Sequence, residues 1–437
     1  MKKNDIRNIP TSQLPNFVPS RPSVAMLWDE SFLWGLMAHK ALTSAGLPFT
    51  LVRAEDVRNG CLDEYTALFV PGGWASNKVK ALGDDGVAAI KKFVHGGGAY
   101  LGFCGGAGLA TMDGIGLLQV KRRPTKERVP SFSGRIKLKV NNHSLWEGVP
   151  ACEDVNSEFR IPNSELLFNA WWPSQFIIDS ESVTVLATYG EAMADSFSSD
   201  LNVGDAETAG SWTELERLYQ INLDPKRLIN EPAVIEGTFG KGRVLLSLVH
   251  FDTPEDLNGA TMLRNIWNYF GYGQIKRSTP AQEDGHRSLA FHDPLLSDLE
   301  AAVNGLIELG QRNFLWFWRN SMLLQWRRGV RGLEYCTLSV MVREIADLLK
   351  RQNVSAFDED LKRTGELLLP FVDKAKRLLI RERLAMLNSP ITYERCDDPE
   401  IQALREKLFS RSKSHGGLFK EVLDEADRLL YRLMILR

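Results

Sequence analysis

The sequence predicts an α/β fold with a parallel sheet, followed by an all-α helical domain. Short apolar runs, bounded by glycine, proline or charged residues, alternate with helix-like stretches in the first part of the chain. These runs are 23–28, 48–53, 67–70 and 99–103. Strands that alternate with amphipathic helices favour a parallel sheet covered on both faces. Beyond residue 290, apolar residues recur at spacings of three and four, which is typical of helices.

Each predicted element of the first part rests on its own pattern. Residues 84–95 are a predicted helix, because Val87 and Ile90 begin an apolar stripe at helical spacing. From residue 120 to about 235 we expect a long, partly β insertion, in which 134–140 alternates polar and apolar residues and 183–189 is a strand. The segment 232–251 closes the domain as a hairpin, since Gly240-Lys241-Gly242 joins two apolar runs.

The second part shows helix signals only. Asp293 followed by Pro294 predicts an N-cap and a first helical turn, and Asp398-Pro399 repeats this signature. Helical spacing also marks 338–349 and 419–433. The predicted division has four parts: an extended arm (1–21), an α/β domain (22–275), a linker (276–290) and a helical domain of unknown function (291–437).

Composition narrows the class of function. The chain of 437 residues has a net charge of −2, so no overall positive field predicts binding to nucleic acid or to an anionic membrane. The N-terminus carries two lysines without an apolar stretch behind them, which argues against a signal peptide or a transmembrane segment. Five widely spread cysteines predict free thiols in a reducing, cytoplasmic compartment.

No cofactor is predicted. Cysteine and histidine show no zinc-like spacing, so we expect no metal. Neither a P-loop nor a GxGxxG motif is present, so the sequence gives no support for an ATP or NAD site.

The segment 99–108 carries the strongest chemical signal. An apolar strand runs into Gly102-Phe103-Cys104-Gly105-Gly106, and a helix-forming stretch follows. This is the cysteine counterpart of a nucleophile elbow, in which small neighbours let the backbone pass close to the nucleophile. The dipole of the following helix would favour a thiolate, and the N–H of Gly105 would point at an oxyanion. The alternative is a tight strand-to-helix turn with a buried cysteine.

Two distant segments would complete such a site. A Pro-Gly-Gly turn after the strand 67–70 offers a backbone N–H of Gly72 or Gly73 as a second oxyanion donor. His250 ends a later strand and could accept the proton of Cys104, while Asp252 orients its ring. A structural histidine at a strand end is the alternative.

These pieces resemble the class I glutamine amidotransferase-like superfamily, and more closely the N-terminal, amidotransferase-like domain of some biotin–protein ligases. The matching segments are 69–74, 96–108, 183–192 and 240–256. The resemblance covers about 23–272. It implies a flavodoxin-like parallel sheet, Cys104 as nucleophile, His250 as base, and Gly73 and Gly105 as oxyanion donors.

The chain departs from the family at two places. The family's closing motif is His-Pro-Glu, whereas this sequence has His250-Phe251-Asp252, and the aspartate is one methylene shorter. Glu255, Asp29 or Glu30 could therefore orient the ring instead. The chain also lacks the Gly-Arg-rich biotin-binding signature of the ligase itself, so a biotin ligase activity is not expected.

Two functions follow from this resemblance. The first is a cysteine hydrolase that acts on an amide or another C–N bond of a small-molecule substrate. The second is a non-catalytic ligand-binding or redox-sensing module, with the helical domain recognising a protein partner. The aromatic segment 313–328 could be a surface for a partner or a membrane, or it could pack inside the protein.

Overall fold

The structure is a computed structural model that describes residues 24–151, 165–271, 293–352, 357–388, 391–392, 396–411 and 414–436. The predicted N-terminal arm (1–21) and linker (276–290) lie outside the described residues.

The strands and helices alternate along the α/β part of the chain. Its strands are β1 (Val24–Leu27), β2 (Thr50–Val52), β3 (Ala67–Val70), β4 (Ala99–Phe103), β5 (Val120–Arg122), β6 (Phe132–Val140), β7 (Glu165–Trp171), β8 (Phe176–Ile178), β9 (Val183–Ala192), β10 (Phe197–Ser198), β11 (Leu201–Asn202), β12 (Pro232–Phe239) and β13 (Gly242–Ser247). Its helices are α1 (Phe32–Ser44), α2 (Ala54–Arg58), α3 (Ala75–Gly96), α4 (Gly105–Ala110), α5 (Val203–Ala209), α6 (Trp212–Tyr219) and α7 (Leu257–Tyr269).

Within the described residues, one sheet of 11 strands organises this part. Its parallel half has the order β2-β1-β3-β4-β13, and the predicted parallel sheet is therefore confirmed. The hairpin partner β12 then starts an antiparallel half that continues through β9, β6 and β10 to β11, with β7 paired to β6. Most strands of the predicted insertion thus extend the same sheet through the pairing of β9 with β12, whereas β5 and β8 pair with each other in a separate two-stranded sheet.

Local patterns placed several elements correctly. Strands β3 and β4 have the predicted bounds, and β12 and β13 form the predicted hairpin, with Phe239 opposite Gly242. Gly240, in the turn between them, has a φ of 62°, which favours glycine. The predicted helix 84–95 lies within the longer α3, which is interrupted at Gly83 (φ 61°).

The second part of the chain is helical, as predicted. Its elements are α8 (Pro294–Arg312), β14 (Trp316–Trp318), β15 (Leu324–Trp326), α9 (Gly332–Gln352), α10 (Asp358–Ala385), α11 (Pro399–Phe409) and α12 (Gly417–Ile435). The carboxylate of Asp293 accepts the N–H of Leu296 (3.0 Å) and caps α8, and Asp398 caps α11 in the same way. The short hairpin β14–β15 is an addition that the helical spacing did not predict. No helix among the described residues is long and apolar enough to cross a membrane.

The helical part packs on the carboxyl edge of the parallel strands. Trp28, directly after β1, donates its indole N–H to Asp427 of α12 (2.8 Å). Farther along the same edge, Trp326 of the hairpin stacks on Trp172, with ring centroids 5.0 Å apart. Trp316 and Leu324 of the aromatic segment 313–328 are therefore packed inside the protein, one of its two expected roles, whereas Phe314 and Phe317 are exposed.

Candidate active site

The nucleophile candidate lies on a strained turn between β4 and α4. Cys104 has φ 49° and ψ −105°, a backbone conformation that costs free energy in any residue other than glycine. Its side chain is half-buried. A Cβ atom on Gly106 would overlap the carbonyl oxygen of Val70, so only glycine lets the turn pass this close to β3. The backbone therefore has the strain and the small neighbours that a nucleophile elbow requires.

The two glycine turns meet beside Cys104. A Cβ atom on Gly105 would overlap the carbonyl oxygen of Gly73, and Gly73 has a φ of 115°. Within the described residues, the N–H groups of Gly73 and Gly105 donate to no acceptor. A Cβ atom on Gly72 would lie 3.3 Å from Cε1 of His250, so this turn also faces the imidazole. The geometry brings together all three glycines that the sequence singled out.

His250 lies fully buried beyond the end of β13. Its Nδ1 is 2.9 Å from Oδ1 of Asp252, and its backbone N–H donates to the carbonyl of Asn169 (2.8 Å). Burial alone would lower the pKa of His250, but the charge and the hydrogen bond of Asp252 and the neighbouring Cys104 outweigh burial and raise it above the ordinary histidine range. Nε2 makes no hydrogen bond among the described residues.

Asp252 is the carboxylate that contacts the His250 ring. The three alternatives lie elsewhere. Asp29 accepts the N–H of Ala54 (2.7 Å), Glu30 binds Lys420 of α12 (3.1 Å), and Glu255 is exposed to solvent. The shorter side chain of aspartate reaches the ring because it follows the histidine in a tight turn.

An aromatic wall flanks the imidazole. The ring of Trp34 lies 4.9 Å from that of His250, and Trp172 lies 5.9 Å from Trp34. Because Trp172 stacks on Trp326, the helical part contributes to the surroundings of the site. Sequence reasoning missed Trp34 and Trp172, since a tryptophan in an apolar run is an ordinary core residue.

Sequence reasoning also missed Lys78, although a signal was present. On α3, Lys78 occupies the same stripe as the buried residues Ala75, Leu82 and Gly86, and a lysine at a core position is unusual. Its amine donates to the carbonyl of Asp29 (3.1 Å) and to Ser31. Burial lowers the pKa of Lys78 to about 7, although the charges of Glu30, Asp29 and Cys104 partly oppose this.

Lys78 should make the stability of the protein depend on pH. Its folded pKa is lowered to about 7, while an unfolded lysine has a pKa of about 10.4. Between these values the unfolded chain binds more protons, so the free energy of unfolding should rise with pH, by about 1.4 kcal/mol per unit. Urea unfolding of the wild type and of Lys78→Met at pH 6 and pH 9 checks this. Between pH 6 and pH 9, the free energy of unfolding should rise less in the variant than in the wild type. An equal rise in both proteins would contradict this prediction.

The α/β part has a mixed sheet whose parallel strands carry Cys104 at their carboxyl edge. Residues 46–113 match the family described as biotin-protein ligase, N terminal, and this match confirms the resemblance for that segment. No curated protein matches the chain.

Three solved structures match the chain at sequence identities of 20% or less. PurLQS from Thermotoga maritima is 15% identical, with 57% of this chain and 99% of that chain covered and a TM-score of 0.37. A glutamine amidotransferase is 20% identical, with 57% of this chain and 98% of that chain covered and a TM-score of 0.34. A β-galactosidase from Bacillus circulans is 13% identical, with 57% of this chain and 31% of that chain covered and a TM-score of 0.33.

Proposed function

We propose that this protein is a cysteine hydrolase that cleaves an amide or another C–N bond of a small molecule. The observation that carries the proposal is a strained, half-buried Cys104 on a turn that meets the glycine turn facing a buried His250–Asp252 pair. A structural cysteine would not need a left-handed backbone. The proposal includes a reducing, cytoplasmic setting, because Cys104 must remain a free thiol.

The raised pKa of His250 favours an imidazolium beside a thiolate in the resting site. The sulfur of Cys104 attacks the amide carbon and a C–S bond forms. The carbonyl oxygen becomes an oxyanion that accepts hydrogen bonds from the free N–H groups of Gly73 and Gly105. His250 gives its proton to the leaving nitrogen as the C–N bond breaks.

Water completes the cycle. Neutral His250 accepts a proton from water, the resulting hydroxide attacks the thioester carbon, and the C–S bond breaks. The products are a carboxylic acid and ammonia or an amine, and His250 is again an imidazolium beside a thiolate. Asp252 holds Nδ1 throughout and stabilises the charged ring.

Alkylation by iodoacetamide at pH 7 tests the proposal. Cys104 should react about 100-fold faster than Cys61 or Cys336, because only a thiolate is a good nucleophile. Burial, assisted at Cys61 by the charge of Asp56, raises the pKa of Cys61 to about 11, and burial raises that of Cys336 to about 12. Mass spectrometry of tryptic peptides gives the three rates. Equal rates at Cys104 and Cys61 would contradict the proposal.

The second candidate is a non-catalytic ligand-binding or redox-sensing module. This candidate is supported by the packing of the helical part against this edge of the sheet, where Trp326 stacks on Trp172 and Lys420 binds Glu30. A panel of primary amides separates the two functions. The wild type should release ammonia from at least one amide and Cys104→Ala from none, whereas tight binding of an amide without turnover would favour the module.

A further inference from the structure

One tryptophan contacts both the imidazole and a glycine turn of the proposed site. Trp34 lies on α1, and its ring centroid is 4.9 Å from that of His250, with 33° between the two ring planes. A Cβ atom on Gly72 would lie 2.9 Å from Cγ of Trp34 and 3.3 Å from Cε1 of His250. The indole, the imidazole and the turn after β3 therefore meet at one point.

The small angle between the two rings gives Trp34 an electrostatic effect as well as a steric one. The face of an indole carries partial negative charge, so it attracts a cation that lies within about 6 Å of the ring centroid. An imidazolium is such a cation, whereas a neutral imidazole is not. Charged groups that also act on this ring are Asp252, whose Oδ1 is 2.9 Å from Nδ1, and Cys104. Trp34 should therefore add to their preference for the charged form of His250.

A second tryptophan packs against Trp34. Trp172 directly follows β7, and its ring lies edge-on to that of Trp34, with centroids 5.9 Å apart. Trp172 has a φ of 50°, a left-handed backbone that costs free energy in a bulky residue, and its N–H donates to the carbonyl of Phe132 (2.8 Å). Such strain beside a proposed active site indicates that the position of this ring matters for function.

The helical part supplies the third ring. Trp326 of β15 stacks on Trp172, with centroids 5.0 Å apart and 24° between the ring planes. A Cβ atom on Gly332, at the start of α9, would lie 2.1 Å from Cγ of Trp326, so this indole packs directly on the backbone of the helix. We call Trp34, Trp172 and Trp326 the tryptophan column. The column joins the helical part to the imidazole of His250.

We infer that Trp34 is a positioning residue for His250, and that the helical part holds Trp34 in place through Trp172 and Trp326. The inference rests on the proposed function of Cys104. Asp252 holds Nδ1 of the imidazole and Trp34 packs against the ring, so Nε2 is the nitrogen left for proton transfer. The helical part would then complete the active site.

Two substitutions at Trp34 separate stacking from plain packing. Iodoacetamide labelling of Cys104 at pH 6 should slow about tenfold in Trp34→Leu, which keeps an apolar side chain but removes the aromatic face. Trp34→Phe keeps an aromatic face, so its rate should stay within about threefold of the wild type. Equal losses in both variants would mean that Trp34 only fills space, and this result would overturn the inference.

The titration of His250 gives a readout that does not depend on the sulfur. In Cys104→Ala protein labelled at histidine Cε1, NMR follows each imidazole, and the signal that disappears on adding His250→Gln belongs to His250. Adding Trp34→Leu should lower the midpoint of this titration by about one pH unit, because the charged ring loses the indole face. Trp34→Phe should lower the midpoint by about half as much or less. A midpoint that Trp34→Leu leaves unchanged would overturn the inference.

Trp326→Leu tests the role of the helical part. This substitution should slow the labelling of Cys104 about threefold, because Trp172 loses its stacking partner. Trp318→Leu is the matched control, since Trp318 is a half-buried residue of the same hairpin but contacts Arg343 of α9 (5.6 Å) outside the tryptophan column. Its rate should equal that of the wild type. Equal rates in the two variants would overturn the assignment of this role to the helical part.

These outcomes are distinct from a failure of the proposed function. Circular dichroism shows whether each variant is folded, and Trp326→Leu, which is two rings away from the imidazole, guards against a misfolded Trp34 variant. Unchanged labelling in Trp34→Leu and Trp326→Leu, with a reactive Cys104, would overturn the inference alone. A wild-type Cys104 that is no more reactive than Cys61 would overturn the proposed function, and the inference with it.

Discussion

Replacing His250 with glutamine should slow the alkylation of Cys104 at pH 6 about 100-fold. In the wild type, the raised pKa of His250 keeps its ring charged at this pH, and the ring then favours the thiolate beside it. Without the ring charge, the sulfur should react as an ordinary cysteine, which is only about 0.3% ionised at pH 6. The rate of iodoacetamide labelling at Cys104, followed by mass spectrometry, gives the effect directly.

Two further variants sharpen this experiment. His95→Gln removes an exposed imidazole at the end of α3 and should leave the rate unchanged. Asp252→Asn keeps the shape of the carboxylate but removes its charge from the ring, and an intermediate loss of about tenfold is expected. A His250→Gln rate within about threefold of the wild type would mean that imidazole and sulfur are not coupled, and the proposed mechanism would fail.

Replacing Gly105 with alanine should destabilise the protein by about 3 kcal/mol or more. The added Cβ would overlap the carbonyl oxygen of Gly73, which is backbone and cannot rotate away, so either α4 or the turn after β3 must shift. The free energy of unfolding from urea denaturation measures the loss. Labelling of Cys104 should slow in the same variant, because the two turns that form the site move apart.

Gly96→Ala is the control for this substitution. A Cβ at Gly96 meets nothing within 4 Å, and the residue lies in α3, where alanine is the better helix former. The variant should be as stable as the wild type, or more stable by about 0.5–1 kcal/mol. A Gly105→Ala protein that matched Gly96→Ala in stability would show that the two turns do not meet closely.

Most of the fold could be predicted because its signals are local. The bounds of β3 and β4 follow from apolar runs, because β3 lies between Thr66 and Pro71 and β4 begins after Gly98. The hairpin follows from the two-residue turn at Gly240. The hairpin β14–β15 could not be predicted. Its Trp316 and Leu324 are buried against the flanking helices, through Ile307 of α8 and Cys336 of α9, and those contacts outweigh local spacing.

The candidate site was predictable where a motif carries its own geometry. A Gly-x-Cys-Gly-Gly turn needs small neighbours wherever it occurs, so Cys104, Gly105 and the glycines after β3 were visible in the sequence. Lys78 and Trp34 were not identified, because a single residue in an apolar pattern does not show what surrounds it. Their contacts, with Asp29 and with His250, join elements that are distant along the chain.

The sequence by itself determined the alternation of strands and helices, the strained elbow at Cys104, and a histidine followed by a carboxylate on a later strand. Only the tertiary structure decided which carboxylate contacts His250, and that the helical part covers this edge of the sheet. The physical reason is distance along the chain. The contact between Trp28 and Asp427 joins residues 399 positions apart, and such contacts depend on how whole surfaces pack rather than on any local pattern.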